Sequence, residues 1–463
     1  MPTSTPRFNK VIARREVITL AFGAMIGWSW VLLTGEWINR AGSLGAAIAL
    51  LIGGVAVIFI SLTYAELVSA MPKAGGEHVY THRAFGKGYA FVCTWALIMG
   101  YITVPVFESV ALPTAVEYLF PAVKAGYLWS VAGSEVYASM VAIGLLGAVA
   151  MTITNYVGIK FVAVVQTIAT LLFVVVGVTF ITGALTEGDF SNAEPLFIGG
   201  AAGVMGVLIM VPALLVGFDV IPQSAEEINV PAAQVGKLLV ASVSLAVLWY
   251  ILITMAVSLA MNGSALSQAS IATADANSQV WHSPVAGKIM ILAGIAGILT
   301  SWNAFILGGS RVIYAMAVSG MLPAAFTRLH PKYNTPYLAI LMIGLLSCLS
   351  PFFGRTILVW LIDAGSFAIV IAYGMVSLAF LRLRKTEPDM PRPFRVKHGL
   401  LVGNTALLLS VGLFIIYLPG SPSALVWPYE WAIVMGWTVL GGLLYWIASS
   451  NKSNEHNQGS GGQ

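Results

Sequence analysis

The chain has 463 residues, 58% of them hydrophobic and 9% charged, with a formal net charge of +4. A soluble domain carries roughly 25% charged residues, so a soluble enzyme, a nucleic-acid binder and a disordered protein are excluded. Cys93 and Cys348 sit in apolar runs, which leaves neither a disulfide scaffold nor a zinc site.

A membrane helix needs about 20 mostly apolar residues. Twelve stretches of 18 or more residues lack Asp, Glu, Lys and Arg: 17–35, 41–65, 88–107, 136–159, 161–186, 195–218, 238–274, 289–310, 333–354, 364–381, 398–429 and 431–451. The run at 238–274 contains a polar loop from Asn262. The third helix continues past Glu108, and the tenth reaches back through Asp363. The expectation is an all-α membrane protein of twelve transmembrane helices. With the N-terminus inside, 19 of the 23 lysines and arginines fall on the inner side; Arg40, Lys124, Lys288 and Arg355 do not. That bias predicts two cytoplasmic termini in a multi-pass inner-membrane protein.

The first ten helices divide evenly, into 17–184 and 199–385. Each half holds an odd number of spans, so the halves enter the membrane from opposite faces, the setting of an inverted repeat. Residues 1–16 precede them as a cytoplasmic segment, helices eleven and twelve cover 398–450, and the polar tail 451–463 is expected to be disordered. Broken helices in matching positions of two such halves point to a binding site. Helix one carries Gly23-Ala24-Met25-Ile26-Gly27-Trp28-Ser29-Trp30. Helix six carries Pro212-Ala213-Leu214-Leu215-Val216-Gly217-Phe218-Asp219. Proline removes a donor and glycine lowers the cost of unwinding. Interrupted backbone at membrane depth is tolerated only where it is buried in protein or lines a cavity.

These stretches resemble the amino acid–polyamine–organocation transporter superfamily, with its five-plus-five inverted-repeat fold. The match runs through Ile26-Gly27-Trp28-Ser29-Trp30, Tyr64-Ala65-Glu66-Leu67, Met71-Pro72-Lys73-Ala74-Gly75-Gly76-Glu77 and Arg83-Ala84-Phe85-Gly86. It continues in Gly217-Phe218-Asp219, Ala225-Glu226-Glu227-Ile228-Asn229-Val230-Pro231, Ser310-Arg311-Val312-Ile313-Tyr314-Ala315-Met316 and the basic end of helix ten. The resemblance implies a secondary carrier of amino acids or related amines that works by alternating access. Its substrate carboxylate would meet the amides of the helix-one break, and its ammonium the free carbonyls of both breaks.

The chain departs from that pattern. Trp28, Ser29 and Trp30 stand where the superfamily has small residues. The two tryptophans form either an aromatic wall for a cation or ordinary helix packing. Ala213 stands where an aromatic gate is common, which widens the pocket and leaves Trp28, Trp30, Phe218 or Phe305 to supply a lid. Glu108 lies inside helix three and is a functional candidate by default; it binds a substrate amine, carries a coupling proton or braces a helix end. The expected substrate contacts are therefore Ile26, Gly27, Trp28, Ser29, Trp30, Met99, Glu108, Ala213, Phe218 and Phe305. Asp219 is expected to orient the unwound backbone, and Glu66, with Glu77, Lys73 and Arg83, to belong to a cytoplasmic gate.

Some relatives carry a helix-five lysine whose ammonium takes the place of a sodium ion; alignment through Gln166 puts that position on Phe173. Helix eight offers Gly297, Thr300 and Ser301, which with Gly23 and Ile26 would supply oxygens for sodium, a hard cation. The alternative is that these hydroxyls bond back to the preceding turn. No other cofactor is expected. The partners are a small-molecule substrate and the lipid bilayer, not nucleic acid. An amine carrier lacking the carboxylate requirement is the rival within transport. A membrane enzyme would need a catalytic cluster within the spans, and the six histidines lie in loops or the tail.

Overall fold

A computed structural model of the chain describes residues 8–421 and 424–459. Among them, ten helices are long and apolar enough to cross a membrane. The other two apolar stretches, near the start of the chain and near its middle, are cut into short pieces.

The first stretch comprises α1 (Arg14–Ile26), α2 (Ser29–Leu32) and α3 (Thr34–Ala41). Gly27 lies between α1 and α2 with φ +49°, a backbone geometry that glycine adopts without the Cβ penalty. Then come α4 (Ser43–Ala70), the short α5 (Glu77–Phe85) and α6 (Lys87–Leu119). Helix α6 runs past Glu108 and holds Pro105 and Pro113 in its interior. After it stands an unforeseen hairpin of β1 (Tyr127–Val131) and β2 (Ser134–Tyr137). Its turn residues Ala132 and Gly133 both have positive φ, the conformation that matches the twist of a two-residue hairpin. Helices α7 (Ala138–Val157) and α8 (Ile159–Glu187) follow.

The second interrupted stretch comprises α9 (Gly200–Leu208), α10 (Val211–Leu214) and α11 (Val220–Gln223). Pro212 opens α10, where its missing N–H costs nothing. Gly217 in the following turn has φ +123°. The run 238–274 is resolved into the apolar α12 (Ala232–Ala260) and, in its polar part, α13 (Gly263–Gln268) and the start of α14 (Ala272–Val280). The chain closes with α15 (Pro284–Val318), α16 (Tyr337–Leu349), α17 (Gly354–Thr386), α18 (Gly399–Ile416) and α19 (Tyr429–Gly459). Helix α19 runs on into the polar tail expected from Asn451, since extending a formed helix costs far less than nucleating one. Residues 460–463 lie outside the described ones.

The most apolar window of α6 and of α15 is 78% buried, against 11% for α19. Helices α6 and α15 therefore form the centre of the bundle, and α19 lies at its margin. Helix α15 packs on α6, α8 and α1, and α12 on α4 and α1.

Candidate functional site

The two interruptions meet. A Cβ on Gly217 would lie 2.8 Å from the Ala24 Cβ, so the breaks touch at a point only glycine permits. Asp219 accepts a 3.0 Å hydrogen bond from the Gly217 N–H and thereby fixes the turn, while its own chain position leaves it buried below the break. The last carbonyls of α1 have no partner in their own helix. The Tyr250 hydroxyl of α12 supplies one: it lies 2.8 Å from the Met25 carbonyl, 3.1 Å from that of Ile26 and 3.3 Å from that of Leu214. It also sits 2.8 Å from the Ser29 hydroxyl. One phenol thus ties both breaks together.

A cavity of about 560 Å³ opens from this junction. Ile26, Gly27, Trp28, Ser29, Glu108, Ala213, Ser301 and Phe305 line it. Glu108 is 4% exposed. Its Oε1 accepts a hydrogen bond from the Ser301 hydroxyl, and its Oε2 has no partner among the described residues. A Cβ on Gly27 would sit 3.5 Å from Glu108 Oε1 and 3.4 Å from Ser301 Oγ, so the break faces the carboxylate directly. The cavity extends to Glu36, Arg40, Arg355 and Glu430, on the side of the bundle where α3 ends, away from the N-terminal segment.

The N-terminal side is closed. Phe218 packs against Tyr64 and Tyr373 at centroid distances of 5.2 Å and 5.5 Å. Below them the fully buried Arg311 pairs with Glu227 at 2.8 Å. Val11 and Ile12 each donate to the Glu227 carbonyl at 2.9 Å, and the Phe8 ring lies 5.6 Å from the Arg311 guanidinium. The N-terminal segment is thus laid across the end of the closed pathway.

Several expected site residues lie elsewhere. Trp30 is fully buried among Phe173 and Trp249, at 6.2 Å and 5.3 Å, because the break turns it away from Trp28. Met99 faces a second, apolar cavity with Trp95 and Trp437, since it lies on the opposite side of α6 from Glu108. Phe218 lies below the cavity and not in its wall. Trp28 does line the cavity, with its ring seated in the notch left by Gly294. The gate network is also partnered differently. Glu66 binds Arg392 at 3.0 Å and Arg384, while Arg83 binds Glu387. Glu77 accepts from Gln223, and the exposed Lys73 makes no ion pair among the described residues.

Each oxygen expected for sodium is engaged in a hydrogen bond. The Ile26 carbonyl is turned toward Tyr250, and Ser301 is engaged by Glu108. The Thr300 hydroxyl lies 2.9 Å from the Gly23 carbonyl and 2.8 Å from that of Gly297. The space beside Gly23 is filled, because a Cβ there would meet Gln166 Nε2 at 2.6 Å and Thr170 Oγ1 at 2.8 Å. Phe173, the position aligned with the lysine of other carriers, packs instead against Phe22 at 5.8 Å.

Sequence reasoning missed Tyr250. No local pattern distinguishes it from the other aromatic residues of an apolar helix; only the break it serves reveals it.

Broken helices meeting at a closed-ended, acid-containing cavity in a bundle of membrane-length helices define a multi-pass membrane carrier. Residues 14–444 match the amino acid permease family, and the chain belongs to that family. It is similar to the branched-chain amino acid permease BcaP of Bacillus subtilis, 26% identical over 456 residues, 95% of this chain and 92% of the relative. The methylthioribose transporter of the same organism is 24% identical over 461 residues, 96% and 94% of the two chains. The lysine-specific permease LysP of Escherichia coli is 22% identical over 407 residues, 83% and 80%. The chain is an amino acid transporter.

Proposed function

We propose that the protein is a twelve-span carrier of the five-plus-five type in the cytoplasmic membrane, with both termini inside. In this reading α1–α3 together make the first span and α9–α11 the sixth. Inside termini make the observed arrangement outward-facing: the cavity opens to the exterior, and the Arg311–Glu227 pair and the N-terminal segment close the interior.

The substrate is a free α-amino acid. Its carboxylate is received by the N–H groups that start α2, next to Gly27, which have no partner within that helix. Its ammonium is received by Glu108. The observation that carries this is the buried Glu108 carboxylate, whose Oε1 lies beside the Gly27 break and whose Oε2 has no partner among the described residues. A carboxylate taken out of water is costly unless a cation meets it, and an α-ammonium supplies that cation. Trp28 closes the side of the cavity, and Ala213 leaves room for a side chain. The work is done by ion-coupled symport or by exchange, as the chain carries no Gly-x-x-x-x-Gly-Lys-Ser/Thr loop.

An amine without a carboxylate is the second reading, favoured by the Trp28 ring in the cavity wall near Glu108. Thermal unfolding of the purified protein against a panel of amino acids and the corresponding amines separates the two. A ligand that binds only the folded state raises the unfolding temperature by mass action. Stabilisation by amino acids and not by their decarboxylated amines supports the first reading. Stabilisation by the amines alone overturns it.

A further inference from the structure

Helix α19 is clasped to α6 by a reciprocal pair of indoles. Trp95 donates to the Trp437 carbonyl at 2.8 Å, and Trp437 donates to the Trp95 carbonyl at 2.9 Å. The two rings stack at a centroid distance of 4.4 Å. Gly441 permits the approach, because a Cβ there would lie 2.3 Å from Trp95 Nε1. Beside this clasp α6, α17 and α19 enclose the second cavity, of about 360 Å³. Its wall is made by apolar side chains such as Phe91, Val92, Met99, Phe367, Ile371 and Val434. The donors in that wall are already bonded: both indoles to backbone, and the Thr438 hydroxyl to the Val434 carbonyl at 2.8 Å. A cavity lined in this way gives water few partners and takes hydrocarbon instead. Gly88 of α6 and Gly442 of α19 also line it, and a Cβ on either would meet nothing within 4 Å.

The hollow has the length of one leaflet. Its wall runs eleven residues along α6, from Gly88 to Met99, and eleven along α19, from Val434 to Tyr445. At 1.5 Å per residue each stretch is about 16 Å, close to half of the roughly 30 Å hydrocarbon core. Gly88 lies in the first turn of α6, so the hollow reaches the bilayer surface there, and two cations stand at that end. Lys87 precedes Gly88 and is exposed. Arg382 lies eleven positions beyond Ile371 in α17, three turns along nearly the same face. Its guanidinium carbon is 4.7 Å from the centre of the Phe85 ring, which stacks on Tyr89 at 4.2 Å. Neither cation makes an ion pair among the described residues, whereas the neighbouring Arg83 is taken by Glu387. We infer that the hollow is a site for one acyl chain of an anionic phospholipid whose phosphate meets Lys87 and Arg382. The lipid completes the packing of α19, the marginal helix, against α6 and α17. The inference requires a membrane-spanning chain and is independent of what Glu108 binds.

The test uses the full-length protein, delipidated in detergent, with phosphatidylglycerol and phosphatidylcholine of the same long acyl chains as probes. Thermal unfolding is recorded as each lipid is titrated. The expected result is a saturable rise in unfolding temperature, reached with phosphatidylglycerol at about a tenth of the phosphatidylcholine concentration or less. Equal responses overturn the headgroup contact, and no response to either lipid overturns the site. Gly442→Leu plugs the hollow from a position with room for the side chain, and leucine is the better helix former. It is expected to unfold no lower than wild type without lipid and to lose the lipid response; an undiminished response overturns the hollow as the site. Gly88→Leu plugs the facing wall and is read in the same way if the first variant does not fold. Lys87→Gln combined with Arg382→Gln is expected to bring phosphatidylglycerol down to the phosphatidylcholine level, and a retained preference overturns the contact. Particle mass is measured by light scattering alongside. A Gly442→Leu variant that changes the number of copies per particle and keeps the lipid response makes this face an interface between copies, which also overturns the inference.

Discussion

Glu108→Gln probes the substrate site most directly. The substitution keeps the volume and one acceptor for the Ser301 hydroxyl, and removes only the charge. In the wild type Oε2 is buried and free of partners, so a bound ammonium would form a charge-assisted hydrogen bond there. Two unit charges 4 Å apart attract by about 4 kcal/mol at an effective dielectric of about 20. Losing one member of a buried, hydrogen-bonded charge pair costs about 2–5 kcal/mol. Even the lower figure weakens binding about 30-fold, at about 1.4 kcal/mol per tenfold. The unliganded protein should respond in the opposite sense, since a buried carboxylate with no cation beside it is a cost that glutamine removes. The assay is equilibrium binding of an amino acid found by the thermal panel, with the unfolding temperature of the empty protein measured alongside. The expected result is a dissociation constant raised about 30-fold or more, with the empty protein at least as stable as wild type. Unchanged affinity in a folded variant would refute the reasoning, and a destabilised variant that binds normally would make Glu108 a brace for Ser301.

Tyr250→Phe deletes the hydroxyl shared by the Met25, Ile26 and Leu214 carbonyls. It should cost about 1–3 kcal/mol in stability and slow transport, read by thermal unfolding and by counterflow in proteoliposomes. Gly297→Ala would set a Cβ 2.0 Å from the Gly27 carbonyl oxygen and should abolish ligand binding; Gly412→Ala, with nothing within 4 Å, should leave binding unchanged. Arg311→Met strands Glu227 in the interior and should destabilise by about 3–5 kcal/mol, and adding Glu227→Gln should recover most of that loss. His78, in α5 outside the spans, is bonded at 2.8 Å to Thr94 and 2.6 Å to Ser319. Burial, with His82 adding to it, pushes its pKa down from 6.5 to about 4. The unfolded chain therefore binds a proton that the folded one refuses between these values. Stability is full above about pH 6.5 and falls by about 3 kcal/mol as the pH drops toward 4. His78→Gln should flatten that slope in pH-dependent unfolding.

The bilayer explains why so much of the fold was legible. A lipid-facing backbone must satisfy itself, so long uncharged runs become helices, and ten of them do. Breaks announce themselves because glycine and proline are the residues that make them affordable, and Glu108 because a lone charge in an apolar run needs a reason. What stayed hidden depends on direction and on distance in the chain. Trp28 and Trp30 are two residues apart, yet the turn at Gly27 sends one to the cavity and the other to Phe173 and Trp249; no helical period crosses a break. Glu66 finds Arg384 and Arg392 far along the sequence, where a nearby Lys73 was the natural guess. Asn155, Asn303 and Gln166, which hydrogen-bond in series at 2.8 Å and 3.2 Å, are single amides on three helices, with no spacing to relate them. The hairpin, by contrast, has a readable signal in Ala132-Gly133 between aromatic, alternating flanks, in a segment of which only Val136 and Tyr137 fall within an uncharged run of span length.

Helix α15 joins the broken first span to α6 through two adjacent residues. Successive side chains on a helix point about 100° apart. Thr300 consequently reaches the Gly23 carbonyl in α1, and Ser301 reaches Glu108 in α6 at the cavity wall. Gly297, one turn earlier, lets the Gly27 carbonyl approach α15 where any Cβ would collide. The break is therefore held against α15 at two points, Gly23 and Gly27, within about one turn of Ser301, which is bonded to the proposed ammonium ligand. The substrate site proposed at Glu108 and the contacts that hold α1 therefore share one turn of α15. A methyl group at Gly297 should be felt at that site, although residue 297 does not line the cavity.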